Sequence, residues 1–288
     1  MHRHTLKRPA SLRGIGLFTG AHADATILPA RSGGLRFVRG GETIAAVVAN
    51  VPVDPSRTPF PSGVAARNTT LAGERAIAAT IEHVMSALAG LGITDAAIEL
   101  RGPELPMLDG SAEPIIDAIS AAGGLLQLDE PLTPIVPRET LVVEGPGGSF
   151  IRVEPRSTPG SSFSYTLDYS GKAGLGRQSA AWDGRAATYQ VEVAPARTFC
   201  LASEARALRD RGMFRHVTPR EMLVLDDESG SPVENELRFE NEPARHKLLD
   251  LIGDLALVGA PIQADIVAQR SGHALAHEAC RRILAALS

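Results

Sequence analysis

Apolar and polar positions alternate over residues 14 to 54, with glycine pairs at Gly33-Gly34 and Gly40-Gly41. That pattern predicts strands joined by tight turns. The period then changes: Ile77, Ile81, Val84, Leu88 and Leu91 recur at helical spacing, and the run stops at Gly90 to Gly92, as a helix does. A strand is expected over residues 96–100, and Ser111 reads as the N-cap of a second helix through Ile115, Ile116 and Ile119. The Pro-rich stretch 130–138 reads as a linker. Beyond it come strands around 141–153 and 164–169, a helix near 202–211, a helix containing His246, a strand over 262–268 and a closing helix over 274–286. Both halves mix strand pairs with helices, with no repeat detectable at the level of residues. The expected architecture is two α+β domains, 1–130 and 131–288, sharing a cleft of the kind that favours small-molecule sites.

The helix through residues 245–254 has a stripe that folding alone does not require. At roughly 100° per residue, His246, Asp250 and Asp254 fall within about 80° of arc, and Gly253 leaves room between them, while Leu248, Ile252 and Leu255 point the other way. The stripe is a candidate site. An ordinary surface ion pair at i, i+4 is the competing reading of His246 and Asp250.

Composition narrows the chemistry. The chain has 288 residues, 44% of them hydrophobic, enough for a sizeable core in one large domain or two ordinary ones. A formal net charge of -4 offers no basic field, so nucleic acid is not an expected partner. Cys200 and Cys280 are the only cysteines, which excludes a disulfide framework and a multi-cysteine metal cage and leaves His and carboxylates as ligands. No apolar segment follows the basic start as a secretory signal requires, and no run nears the ~20 residues that span a bilayer. A cytoplasmic protein is expected, with any membrane contact peripheral.

Glu82 and His83 lie in the first predicted helix, turned away from the face set by Ile81, Val84 and Leu88. Alone, this dipeptide also reads as a solvated helix face. Joined with His246 and Asp250, it completes two imidazoles, one carboxylate and a spare glutamate, which is what a catalytic zinc with an open position for water requires. Ser271-Gly272-His273 is the third element, in a turn entering the last helix, where the helix dipole favours an anion. His273 and His277, also at i, i+4, form a rival chelate; Ala274 stands where the metalloprotease helix puts its Glu. Gly14 to Gly20 looks faintly like a dinucleotide loop, but a strand-like run follows where a helix should begin. Ala196-Arg197-Thr198-Phe199 has no role by itself.

These segments together resemble the zinc-dependent UDP-3-O-acyl-N-acetylglucosamine deacetylase family of lipid A synthesis, over nearly the whole chain. Among the motifs that carry the resemblance are Ile81-Glu82-His83, Glu104-Leu105-Pro106-Met107-Leu108-Asp109-Gly110-Ser111, Ala196-Arg197-Thr198-Phe199, Arg245-His246-Lys247 through Asp254, and Ser271-Gly272-His273. The resemblance implies two similar domains, each a small sheet with two helices, with the helices sandwiched between the sheets. It implies His83, His246 and Asp250 as zinc ligands, Glu82 as general base, and Thr198 and Lys247 as supports for the oxyanion. His273 would be the second catalytic group, charged and held by Asp254, giving a bell-shaped pH profile. Phe199, Tyr165 and Arg270 match positions near the sugar or the diphosphate of a UDP-linked acylated glucosamine.

The chain departs from the family pattern at three places. Phe18 replaces the usual His, Arg215-His216-Val217-Thr218-Pro219 replaces a small-residue element beside the acyl passage, and Gly147-Gly148-Ser149 lacks a basic residue. Bulky or charged side chains at 215–219 are expected to narrow or reroute an apolar passage. Two function classes follow: a working zinc amidohydrolase with altered acyl preference, or a binding module with little turnover. The sequence carries no reading of oligomeric state.

Overall fold

The computed structural model describes residues 1–58, 60, 67–171, 174–219 and 222–287. Two five-stranded sheets dominate. The first has the order Ala10–Ile15, His22–Pro29, Ala96–Arg101, Leu35–Arg39, Glu42–Ala45, and the second the order Leu141–Glu144, Phe150–Pro155, Ala264–Gln269, Ser162–Asp168, Arg177–Trp182. Each sheet is two antiparallel hairpins separated by a late-arriving central strand, which runs antiparallel to one neighbour and parallel to the other. The repeat that is invisible in the residues is therefore present in the topology.

Among the described residues five helices of nine or more residues accompany the sheets: α1 (Glu82–Leu91), α2 (Glu113–Ala121), α3 (Ala202–Asp210), α4 (Glu242–Leu255) and α5 (His273–Ala285). In each half one helix leads directly into the central strand and one follows it, so α1 corresponds to α4 and α2 to α5, while α3 has no counterpart in the first half. Strand Ser162–Asp168 alternates buried and half-buried positions along its length, the period expected when one face of a sheet packs on helices. α4 lies on that strand with one side and on α1 with the other, while α5 lies against the 141–155 hairpin and α2 against strand Ala10–Ile15. The four helices are thus enclosed between the sheets, and a single apolar cluster runs from Ile27, Phe37 and Ile98 through Leu88 and Leu248 to Ile151 and Ile266. α4 buries Leu248, Leu249, Leu251, Ile252 and Leu255, each worth roughly 1.5–3 kcal/mol of transfer from water.

Two close approaches set the spacing of the inner helices. A Cβ at Gly253 would sit 2.1 Å from the Glu82 carbonyl oxygen, so only glycine allows α4 to meet the first turn of α1 there. Gly90 likewise leaves room for the Tyr189 ring, whose hydroxyl bonds Ser86 at 2.7 Å.

The chain differs from the sequence expectations at three local points. Ile77 is not helical: Ile77–Ala79 is a strand paired with Thr70–Ala72, and the chain reverses at Thr80, a non-glycine residue at φ 57° whose hydroxyl donates to Glu104. Ala112 rather than Ser111 is the N-cap of α2, although the Ser111 hydroxyl accepts the Glu113 N–H at 3.2 Å. The stretch expected as a linker is partly tied down, since residues 125–131 pair with the N-terminal strand His2–Leu6 and Ile135 bonds Pro261 and Gln263. Among the described residues no helix is long and apolar enough to cross a membrane.

Candidate metal centre

The helix crossing at Gly253 brings two chemical segments together. α4 presents His246, Asp250 and Asp254 on one stripe, and the first turn of α1 presents Glu82 and His83 toward it. Both α1 residues are buried, Glu82 at 3% and His83 at 8% exposure. The solvated-face reading therefore does not hold: a helix face looks exposed in sequence when the partner that covers it comes from more than 150 positions away.

One ligand atom from each of His83, His246 and Asp250 lies within 4.8 Å of the other two. The two imidazole rings meet edge to face with centroids 5.1 Å apart, and Asp250 Oδ1 stands 3.3 Å from His246 Nε2 and 3.7 Å from His83 Nε2. His246 Nδ1 lies 3.1 Å from the Ala196 carbonyl, so that nitrogen donates and Nε2 keeps its lone pair. Burial lowers the pKa of His83, and lowers that of His246 to about 3, so both rings are neutral. Burial acts to raise the Asp250 pKa, but the Lys247 ammonium and the charged His273 outweigh it and hold the carboxyl well below the usual range. Its Oδ2 accepts a 2.8 Å bond from Lys247 Nζ, while Oδ1 is buried with no hydrogen-bond partner. Two neutral imidazoles and an ionised carboxylate with an orphaned oxygen are the donor set that a divalent metal ion takes.

Glu82 stands beside this triad without belonging to it. Its Oε2 accepts the Thr69 N–H at 3.0 Å, and burial pushes its carboxyl up to about 8 against the pull of charged His273. His273 is the first residue of α5, and its Nδ1 lies 2.8 Å from Asp254 Oδ2. Burial opposes a charged imidazole there, yet Asp254 outweighs it and raises the His273 pKa to about 9. The residues of the rival chelate carry other contacts: the His273 and His277 rings are stacked with centroids 6.5 Å apart, and His277 Nε2 is 2.9 Å from the Thr69 hydroxyl. Burial disfavours the Lys247 ammonium, but the Asp250 carboxylate that accepts its hydrogen bond holds it charged.

The remaining residues singled out in sequence lie around this centre to different degrees. Tyr165 shares a small pocket with Lys247, Asp250, Asp254 and His273, and its hydroxyl donates to the Ser271 carbonyl. Thr198 is half-buried and bonds Gly110 and Leu223 through its backbone, while Phe199 meets Tyr169 edge to face at 6.5 Å. Arg270 is exposed, at φ 52°, beside Gly147. Phe18 packs against Phe60 and Phe214 with centroids 4.9 and 5.4 Å apart. Of residues 215–219, Val217 enters the apolar cluster with Leu17 and Met107, and Arg215 faces solvent. Its charge is thus outside the interior that it was expected to obstruct. His216 Nε2 sits 3.0 and 3.1 Å from the carbonyls of Gly16 and Leu17.

Sequence reasoning missed two supports. Arg197, in a loop of ordinary composition, forms a buried pair with Glu242 at 2.9 Å, and Glu242 also accepts the backbone N–H of Arg197 and of Arg238. That anchor holds the Ala196 carbonyl that orients His246. An acid in the first turn of α4 was the available signal. Thr69 has no sequence signal and is fully buried between the base and the Asp254 pair.

A family profile described as UDP-3-O-acyl N-acetylglycosamine deacetylase matches residues 3–285. Among curated proteins, the UDP-3-O-acyl-N-acetylglucosamine deacetylase of Synechocystis is 33% identical over 284 residues, covering 97% of this chain and 98% of its own. The protein of the same name from Chlamydia caviae is 35% identical over 289 residues, covering 99% and 98%. The bifunctional enzyme LpxC/FabZ of Chlorobaculum tepidum is 35% identical over 300 residues, covering 95% of this chain, which spans only 62% of that relative's length.

Proposed function

The chain belongs to the UDP-3-O-acyl N-acetylglycosamine deacetylase family, and from that premise we propose that it is a zinc-dependent hydrolase removing the N-acetyl group from UDP-3-O-acyl-N-acetylglucosamine, in the cytoplasm, during lipid A biosynthesis. The observation that carries the reading is the convergence of His83, His246 and Asp250 donor atoms within 4.8 Å around an orphaned carboxylate oxygen, beside a buried glutamate that is not part of the set. In this reading residues 1–130 and 131–288 are the two domains that share the site.

His83, His246 and Asp250 would hold zinc, which when bound supplies a Lewis acid and lowers the pKa of water to about 7. Glu82 takes the proton of the attacking water; a cation nearby favours its ionised form, against the burial that raises it. Charge that develops on the amide oxygen is met by the Lys247 ammonium and the Thr198 hydroxyl. His273, charged through its pairing with Asp254, steadies the same intermediate or gives its proton to the leaving amine, which then departs as the free amino sugar. Tyr165 and Phe199 position the sugar, and the exposed Arg270 guanidinium suits the diphosphate oxygens.

The test is metal analysis of the purified protein followed by deacetylation assays with substrates of different acyl length. One zinc per chain and release of acetate are expected. Stoichiometric zinc with no turnover at any acyl length would overturn the enzymatic reading.

A further inference from the structure

Thr69 makes contacts that no element of the proposed chemistry explains by itself. Its N–H donates to Glu82 Oε2 at 3.0 Å, its carbonyl accepts the N–H of Ile81, the residue that opens α1, and its hydroxyl meets Asp254 Oδ1 and His277 Nε2, with His273 Nδ1 farther off at 3.4 Å. The hydroxyl has one proton, and an ionised carboxylate only accepts. Thr69 O–H therefore donates to Asp254, and the 2.9 Å contact with His277 is a donation from Nε2–H into the Thr69 oxygen. Asp254 Oδ2 takes the Nδ1–H of His273 at 2.8 Å, which leaves Nε2 as the His273 nitrogen that can pass a proton. The hydrogen bonds run in one direction, from His277 through Thr69 to Asp254, with His273 entering from the other side.

We infer that Thr69 is a positioning residue that registers the base of the site against its acid: its backbone amide fixes Glu82, and its hydroxyl, oriented by His277, fixes Asp254 and through it His273. Glu82 belongs to α1 and His273 to α5, and the two helices come from different halves of the chain. A single buried residue touching both carboxylates sets their separation without contacting substrate.

The kinetic arm of the test rests on the deacetylase reading, and the spectroscopic arm does not. Thr69→Val keeps the shape and the amide but removes the hydroxyl, and Thr69→Ser restores it. In metal-loaded protein, Thr69→Val is expected to lower kcat roughly 10- to 100-fold, the range for leaving a buried acceptor unpaired, with KM and metal content unchanged. Nitrogen NMR of the imidazoles should show the His273 Nδ1 proton exchanging about tenfold faster, a 1.4 kcal/mol loss of protection. Thr69→Ser should recover both readouts. A Thr69→Val protein with native exchange and kcat within about threefold of the original, or a serine variant as impaired as valine, would overturn the inference.

His277→Leu removes the donor to Thr69 and carries the same test where Thr69→Val does not fold: faster exchange at His273 supports the inference, and native exchange overturns it. If the unsubstituted protein has no turnover, the deacetylase reading fails, while the exchange measurement still decides the role of Thr69.

Discussion

Buried Asp254 and half-buried His273 form a pair, 2.8 Å between Oδ2 and Nδ1, that joins the end of the α4 stripe to the first residue of α5. Neither group has ordinary titration behaviour. Burial opposes both charges, and each is nevertheless ionised because the other is there: His273 is raised to about 9, and the Asp254 carboxyl lies well below its usual range. The pair supplies the site with an imidazolium whose charge persists until pH rises through about 9.

A pH profile follows from that pair. The folded-state value of His273, about 9, lies above the ordinary 6.5, so its charge and the stability it contributes are fully present below about 6.5 and are lost as pH rises through about 9. The kcat profile is expected to descend on the alkaline side near 9. Asp254→Asn should move that limb down toward the ordinary imidazole range and lower kcat by roughly 10²-fold at its optimum. A limb that stays in place in the variant would mean that another group titrates.

Glu82→Gln separates base from ligand. The carboxylate lies outside the triad of donor atoms and is held by the Thr69 amide, so the variant should bind metal with unchanged stoichiometry and lose roughly 10²- to 10⁴-fold in kcat. Metal analysis alongside the assay checks it; loss of the metal would show that Glu82 and a ligand have been exchanged in the assignment.

The legibility of this site in sequence divides along the difference between local and long-range geometry. The α4 stripe is set by helical periodicity, so His246, Asp250 and Asp254 were readable as one constellation from their spacing alone. Which face of α1 is covered depends on α4, and nothing near residue 82 records that; hence Glu82 and His83 looked as much like surface as like site. The false helical start at Ile77 has a related cause. Three strand residues followed by a reversal at Thr80 preserve the apolar spacing of a helix, and only the ribbon partner at Thr70–Ala72 decides between them. Thr69 and the Arg197–Glu242 pair act purely through tertiary contacts, and their roles follow from structure.

In the proposed reading a metal should stabilise the fold as well as serve chemistry, because the donors that would hold it come from α1 and α4. Ligand present at a thousandfold over its Kd contributes about 4 kcal/mol to stability, so stripping the protein with a chelator is expected to lower its Tm, and restoring zinc to recover it. In His83→Ala, which removes the only α1 donor of the set, the zinc-dependent increment in Tm should disappear. An increment that survives the substitution would place the metal elsewhere.

Gly253 provides the most direct test of the helix crossing on which all of this depends. A Cβ there would sit 2.1 Å from the Glu82 carbonyl and 3.0 Å from the Ser86 amide nitrogen, both backbone atoms that cannot rotate aside. Ordinary helix interiors gain from glycine-to-alanine exchange, by about 0.5–1 kcal/mol. Here overpacking opposes that gain, costing about 1–3 kcal/mol, and the α1 turn must shift away from α4. Because that turn presents both Glu82 and His83, Gly253→Ala should lower stability, zinc affinity and kcat together. Denaturant unfolding, zinc titration and the deacetylation assay on one protein preparation measure all three; a variant stabilised as an isolated helix would predict, with native zinc affinity, would show that the helices do not meet at this residue.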